Sequence, residues 1–467
     1  MRISNLLLAF ACASMPVAAH AQSVKLTMIY AFSRQYGIGT YNGVPISTNV
    51  EGANPESSLA FGPDGCLYGT TSRGGSNGFG TIFRITTNGA LTLLGTFSDP
   101  DNVGRNAGLT LGPDGNLYGT TLLGGTNGGG DVFQVTTNGA VSTIYSFSAI
   151  PDDLTNSDGS APKVALTLGH DGCLYGTTVE GGAYGEGTIF KITTNGNLAT
   201  LGNFDLPADD GEYSMGPSSL TIGQDGNFYG TTSSGGSNNG GTFFRATTNG
   251  VLTTMYSGPG VGSFPTVGLT LGPDGNFYGS TANGTGIPGT IFRVTPGGAL
   301  STLVNFNNTN GAAPSGVLAL GQDGNFYGTT LYGGTNSYWG GTIFRLTTNG
   351  QFTSLYSFAG SSNEASTNAD GASPSSTLTL APDGSFYGTA FTMGPNASGT
   401  IFKLTILPPT LAIQSIPGNI LLTWDDPTYG LQAATNIDGV FTNIPSAASP
   451  FTNAILPNSQ FFRLVRN

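Results

Sequence analysis

The chain has 467 residues, 75 of them glycine, with 38% hydrophobic and 9% charged residues, a formal net charge of −12 and three cysteines. A surplus of acid on this scale opposes nucleic acid and anionic lipid, so neither partner is expected. The length suffices for one large all-β domain and a small one.

In chain order, Met1-Arg2 precedes the apolar run Leu6 to Ala13 and then Ala19-His20-Ala21, an A-x-A site. Residues 1–21 therefore read as a secretory signal peptide cleaved after Ala21, which places the mature chain outside the cell, secreted or at the cell surface. The run is too short to span a bilayer, which takes about 20 apolar residues, and no other stretch reads as a membrane span. Ala9-Phe10-Ala11 before Cys12 is a poor lipobox. Next comes a lone β segment, Val24 to Ser33. Then Asp64-Gly65-Cys66-Leu67-Tyr68-Gly69-Thr70-Thr71 opens a series of close copies that begin again at Asp114, Asp171, Asp225, Asp274, Asp323 and Asp383. Steps of 49 to 60 residues between starts define a repeat array.

Each copy predicts four short strands, in the first Ser57 to Gly62, Cys66 to Thr71, Thr81 to Thr87 and Ala90 to Phe97. Gly62-Pro63-Asp64-Gly65 is a turn between the first two, with proline presetting φ and glycine accepting positive φ. Thr86-Thr87-Asn88-Gly89 carries the Asn-Gly hairpin signal between the last two. Thr81-Ile82-Phe83-Arg84-Ile85 has large groups at adjacent positions, so the sheet must be covered on both faces, and neighbouring copies supply the cover. The last copy stops after Thr400 to Ile406, without a fourth strand. Leu26 to Ser33 resembles the fourth strand Val141 to Ser148 and fits the gap. These features predict an all-β, seven-bladed β-propeller over residues 22–406, closed by the N-terminal strand so that no sheet edge stays open.

The full pattern, Asp-Gly-x-x-Tyr-Gly-Thr-Thr, then Gly-Gly, then Gly-Thr-Ile-Phe-Arg-Ile-Thr-Thr-Asn-Gly, resembles the GloVer tandem repeat of choice-of-anchor bacterial proteins over residues 24–406. The resemblance implies an exported propeller-like protein with a separate C-terminal module and no established enzymatic activity. Kelch and lactonase-type propellers are more distantly similar, and function is not inherited across such a superfold. Leu407-Pro408-Pro409 forms a stiff linker to residues 410–467. Brief alternating runs there, Leu411 to Ile413, Ile420 to Trp424, Leu431 to Ala434, Phe441 to Ile444 and Phe461 to Val465, predict a small β-sandwich-like module. It anchors or sorts by protein contact, or caps the propeller.

In a propeller the short repeated turns share one face and the longer, varied loops share the other, which is where binding surfaces reside. Candidate ligand-binding residues on these loops are Trp339, Tyr338, Tyr332, Tyr184, Glu186, Phe79 and Arg73, the aromatics suiting sugar rings or peptide side chains. Filling gaps between blades is the bland alternative for each. Strand three carries Arg84, Gln134, Lys191, Arg245, Arg293, Arg345 and Lys403 at one repeat position, expected to make cation–π or turn-aspartate contacts between blades. Cys66 and Cys173 share a repeat position two blades apart, beyond the ~7 Å reach of a disulfide, and are expected as buried thiols.

Catalysis has little material: His170 is a turn residue, no Ser-His-Asp set assembles, and the anchor aspartates serve turns. No cofactor is expected. Oxygen-rich loops with Asp152, Asp153 and Asp158, or Asp209, Asp210 and Glu212, are weak calcium candidates whose spacing fits no EF-hand. The leading expectation is a monomeric, non-catalytic exported propeller that binds an extracellular glycan or protein through its variable loops. A propeller hydrolase or lyase acting on an extracellular polymer, and a purely structural surface protein, are the alternatives.

Overall fold

The computed structural model describes residues 24–466 apart from 42–43, 98–107, 152–153, 206–215, 237–239, 258–266, 282–287, 337–338, 361–366, 408–410, 418, 425–428, 436–439, 446, 448 and 455–459. Every regular element among them is a β-strand or bridge. Val24–Ile406 form one compact unit, and Leu407–Asn467 fall in a second.

The first unit is built from antiparallel sheets in strict succession. The first sheet runs Ala60–Phe61, Leu67–Thr71, Thr81–Ile85, Leu91–Thr96, each strand beside the next, and the same order recurs through the sheet that begins at Ala319–Leu320. Among the described residues there are six such sheets, the sixth carrying an extra strand, Ala312–Pro314. The seventh sheet is Thr379–Leu380, Phe386–Ala390 and Thr400–Ile406, with Val24–Ala31 paired antiparallel on its outside, Val24 opposite Ile406 and Ala31 opposite Thr400. The inner strands are two residues long in each sheet, shorter than the sequence predicts, because only Thr-Leu or its equivalent reaches the second strand before the turn.

The turn chemistry works as read. Gly65 sits at φ 73° and donates to Gly62 O at 3.1 Å, while Asp64 Oδ1 accepts from the Cys66 amide at 3.2 Å. The paired threonines also have a cause. Thr71 Oγ1 lies 2.9 Å from Thr81 Oγ1 and accepts the Thr81 amide, and Thr178 with Thr188 and Thr330 with Thr342 repeat it. Buried hydroxyls thus satisfy one another where strands two and three begin to part.

Strand two is wholly buried in the first sheet, and strand three is buried except at Arg84. Both faces are covered, since Tyr68 and Ile82 meet Leu109, Leu117 and Phe133 of the second sheet, and Leu67, Phe83 and Ile85 meet Tyr387 and Ile401 of the seventh. Aromatic pairs such as Tyr175 with Phe228 (4.2 Å between centroids) and Tyr278 with Phe326 (4.1 Å) mark junctions between consecutive sheets. Inner-strand hydroxyls add bonds across the junctions. Thr110 donates to Leu166 O at 2.7 Å, Thr167 to Leu220 O, Thr221 to Leu269 O and Thr270 to Leu318 O, and Thr379 of the seventh sheet donates to Leu59 O of the first at 2.6 Å.

Two elements escaped the sequence reading. Tyr36–Tyr41 and Val44–Thr48 form a hairpin ahead of the first sheet. In the second unit, Phe451–Ala454 joins Ala412–Ile416 and Asn419–Thr423 in a three-stranded sheet; Thr442–Asn443, Tyr429–Ala434 and Phe461–Arg466 form another. Leu422, Trp424 and Leu431 are its buried core.

Candidate binding face

Where both are described, the long loop entering a sheet and the glycine-rich loop after its second strand are tied together by main-chain bridges. Ala53 pairs with Arg73, Ser160 with Glu180, Ala312 with Tyr332 and Ala372 with Thr392. Both loop sets therefore lie on one side of the sheets, opposite the turns. An Asn-x-x-Gly strap holds the frame. Asn156 Nδ2 donates to Gly159 O (3.1 Å) and Ser148 O (3.2 Å), and its Oδ1 accepts from the Gly159 and Gly182 amides at 2.8 and 2.9 Å. Asn49 and Asn368 bond their own glycines, Gly52 and Gly371, in the same way.

The acid inside the strap is anchored by the preceding sheet. Tyr145 Oη donates to Asp158 Oδ2 at 2.9 Å and Tyr356 to Asp370 Oδ2 at 2.7 Å. Burial, then the bond to Asp158, pushes the Tyr145 hydroxyl up to about 12; burial, then Glu51, does the same to Tyr30. The strap was legible as a spaced Asn-x-[Asp/Glu]-Gly at Asn49, Asn156 and Asn368, a signal the repeat anchor overshadowed.

On this constant frame the side chain that follows the second strand changes class, with Arg73, Leu123 and Glu180 exposed and Tyr332 half-buried. Tyr332 packs edge-to-face with Trp339, 5.3 Å between ring centroids, and Trp339 keeps 40% of its surface exposed. These two are brought together; the other candidates sit on different sheets. Tyr184 is exposed on the third sheet and Glu186 there is half-buried, its main chain bridged to Gly181. Phe79 is half-buried against the core between the first and second sheets. Tyr338 lies outside the described residues.

Of the calcium candidates, Asp158 is buried, and its Oδ2 also accepts from the Ser148 amide and hydroxyl at 3.0 and 3.2 Å. Asp152, Asp153, Asp209, Asp210 and Glu212 lie outside the described residues. Among those described, no three His, Cys, Asp or Glu side chains group as metal ligands. Cys66 is buried, whereas Cys173 is half-buried, a correction to the expected pair of buried thiols.

Three of the strand-three cations, Arg84, Lys191 and Lys403, pair within their own sheet, which corrects for them the expectation of contacts between sheets. Tyr-x-x opposite the cation places it directly over the turn of that sheet: Arg84 reaches Asp64 at 2.7 Å, Lys191 reaches Asp171 at 2.7 Å and Lys403 reaches Asp383 at 2.8 Å. Lys191 and Lys403 also lie over Tyr175 and Tyr387. Lys403 holds the Asp383 carboxyl down at about 2. These three sheets have Cys66, Cys173 and Ser385 two residues after the aspartate. Elsewhere an asparagine stands there and its own amide takes the carboxylate, as Asn116 does from Asp114 and Asn276 from Asp274, both at 2.7 Å. Replacing Arg84 by Met is expected to cost up to about 1 kcal/mol, since the pair is partly exposed. Arg293→Met in the fifth sheet should stay within about 0.5 kcal/mol. Thermal melts of the two variants compare them, and equal losses would contradict the division of labour.

On the turn side, an open groove of about 720 Å³ lies between the seventh and first sheets, walled by Phe61, Pro63, Gln322, Asp383, Tyr387 and Lys403. Its ammonium and carboxylate are spent on each other at 2.8 Å.

Fold and loops together define a tandem array of four-stranded antiparallel sheets with a constant turn side and a varied loop side. The model of the Gloeobacter/Verrucomicrobia repeat matches residues 28–154, 151–270 and 216–416, and the chain belongs to that family. No curated protein matches the sequence. Among solved structures it is similar to the extracellular domains of two hybrid two-component systems from B. thetaiotaomicron, each at a TM-score of 0.47, with 11% and 10% identity over 89% and 91% of this chain. The chain spans about half of those two, 54% and 47%. A gluconolactonase from Xanthomonas campestris is similar at a TM-score of 0.37 and 11% identity, over 82% of this chain and 98% of its own. Likeness at this level says nothing of activity.

Proposed function

We propose that residues 22–406 form a closed seven-bladed β-propeller, zipped by Val24–Ala31, that is exported behind the leader at residues 1–21. It acts by binding rather than catalysis and takes an extracellular glycan or protein on its loop side. Closure draws support from the Thr379 bond to Leu59 O and from the pairing of Val24–Ala31 with Thr400–Ile406. Binding draws support from one observation above the rest, that loops bridged through their main chain to the entry loops present Arg73, Glu180, Tyr332 and Thr392 at one repeat position. A structural role would favour one residue class there, whereas a recognition surface needs several. Asp64 and Asp158 are engaged as turn and strap acceptors, which ties these two carboxylates to structure rather than to proton transfer.

The test is ligand capture on glycan and extracellular-protein arrays by two variants that melt like the parent. Joint replacement of Arg73, Tyr184 and Trp339 by Ala should abolish capture. Joint replacement of Pro63, Asn88 and Gln322 on the turn side should leave it intact, and the reverse result would refute the assignment of faces.

A further inference from the structure

The loops of the sixth sheet differ from those of the third in composition. In sequence, residues 305–315 and 331–341 hold five asparagines, two threonines, two serines, the aromatics Tyr332, Tyr338 and Trp339, and no Asp, Glu, Lys, Arg or His. The corresponding loops of the third sheet carry Asp158, Lys163, Glu180 and Glu186. Within the sixth-sheet loops, Asn307 Oδ1 accepts from Thr309 Oγ1 at 2.8 Å and from the Asn310 amide at 3.0 Å. Asn336 Nδ2 donates to Ser357 O at 2.6 Å, and Thr335 bonds Ser357 Oγ at 3.3 Å. These bonds join uncharged groups. Tyr332 packs edge-to-face against the Trp339 ring, and the Ser373 hydroxyl donates to the Trp339 main-chain O at 3.4 Å. An indole placed this way keeps 40% of its surface in solvent, open to a stacking partner.

We propose that this corner binds a neutral saccharide, its apolar ring face stacked on Trp339 and its hydroxyls met by the carboxamides and hydroxyls around it; this rests on the reading of the loop side as the binding side. Sugar hydroxyls donate and accept at once, and so do Asn, Ser and Thr, which matches them without a formal charge. The sixth-sheet loops themselves carry no counter-charge for an acidic or basic ligand. A stacked ring against an aromatic face is the apolar half of the same recognition.

The experiment uses the full mature chain in gels cast with laminarin, galactomannan or starch, and in parallel with alginate or polygalacturonate. The expected result is retardation by a neutral polymer, unchanged at raised salt, weakened about tenfold by Trp339→Ala and largely kept by Trp339→Phe. Because the chain has two tryptophans, Trp424→Phe leaves Trp339 as the only emitter, and its emission should shift with neutral oligosaccharide even where the alanine variant folds poorly. Absence of both retardation and emission shift, or retardation indifferent to Trp339→Ala, overturns the inference. Capture of an acidic polymer or a protein, lost on Arg73→Ala or Tyr184→Ala while neutral sugars stay silent, overturns it and leaves the loop side standing as the binding side. Binding that no loop substitution changes removes both.

Discussion

A chain shortened to begin at Arg34 should fail to give a monomer with a single sharp melt. Val24–Ala31 covers the outer edge of Thr400–Ile406 along its whole length, and removing it bares a row of unpaired main-chain groups, a template for pairing with other chains. Phe32, fully buried, goes with it. Its ring packs edge-to-face on Phe83 at 5.6 Å, its amide donates to Gly399 O at 3.2 Å and its carbonyl accepts from Asn396 at 3.0 Å. Phe32→Ala alone should cost about 3–5 kcal/mol. A typical domain has only about 5–15 kcal/mol to lose, so the strand and the phenylalanine together remove most of it. Met28→Lys is the control, because that side chain is partly exposed and should shift stability by less than about 0.5 kcal/mol. Size-exclusion profiles and thermal melts decide it: a shortened chain that stays monomeric and melts like the parent would dispose of closure by this strand.

What could be read in advance was whatever repeats at fixed local spacing. The Gly-Pro-Asp-Gly and Asn-Gly turns, the doubly covered third strand and the missing fourth strand of the last copy are local signals, and each needs only a few neighbouring residues to carry its meaning. The Asn-x-x-Gly strap is different. Asn156 and Asn368 acquire their role from bonds to Gly182 and Gly394, 26 residues away in both cases, a separation too long for a local pattern to reveal. Arg84 and Arg293 occupy one column, yet Arg84 takes its turn aspartate while in the sheet of Arg293 the carboxylate of Asp274 accepts from Asn276, and the cause is the residue two after the aspartate, Cys66 in one sheet and Asn276 in the other. That rule was present in the sequence as a pairing of two columns, but only the carboxylate geometry tells which of two donors wins it. Trp339 and Tyr332 were legible as a cluster. Their edge-to-face contact was not, since six residues of loop lie between them and only the folded chain returns one ring to the other.

The glycine of Tyr-Gly-Thr-Thr leads to the second large effect. Gly328 has no positive φ, so alanine fits its backbone, and conformational freedom does not explain the residue. Packing does. A Cβ built there would lie 2.8 Å from Leu318 Cδ2 and 3.0 Å from Phe344 Cε2, and closer still to the ring tip, Cζ. Phe344 is fully buried and cannot withdraw. The same ring overlies Gly69, Gly119, Gly176, Gly230, Gly279 and Gly388 in the other sheets. Gly328→Ala should therefore destabilise the chain by about 1–3 kcal/mol through overpacking. Gly324 is the informative contrast. It sits at φ +75° with open space around it, so its alanine variant suffers backbone strain alone, about 1–2 kcal/mol, which no change in Phe344 can relieve. Shortening the ring separates the two causes. Phe344→Leu combined with Gly328→Ala should lose less than the sum of the single changes, with a coupling of about 0.5–3 kcal/mol, whereas Phe344→Leu combined with Gly324→Ala should be additive. Denaturant titration of the single and double variants reads both couplings, and additivity at Gly328 would mean that the ring is not what excludes a side chain there.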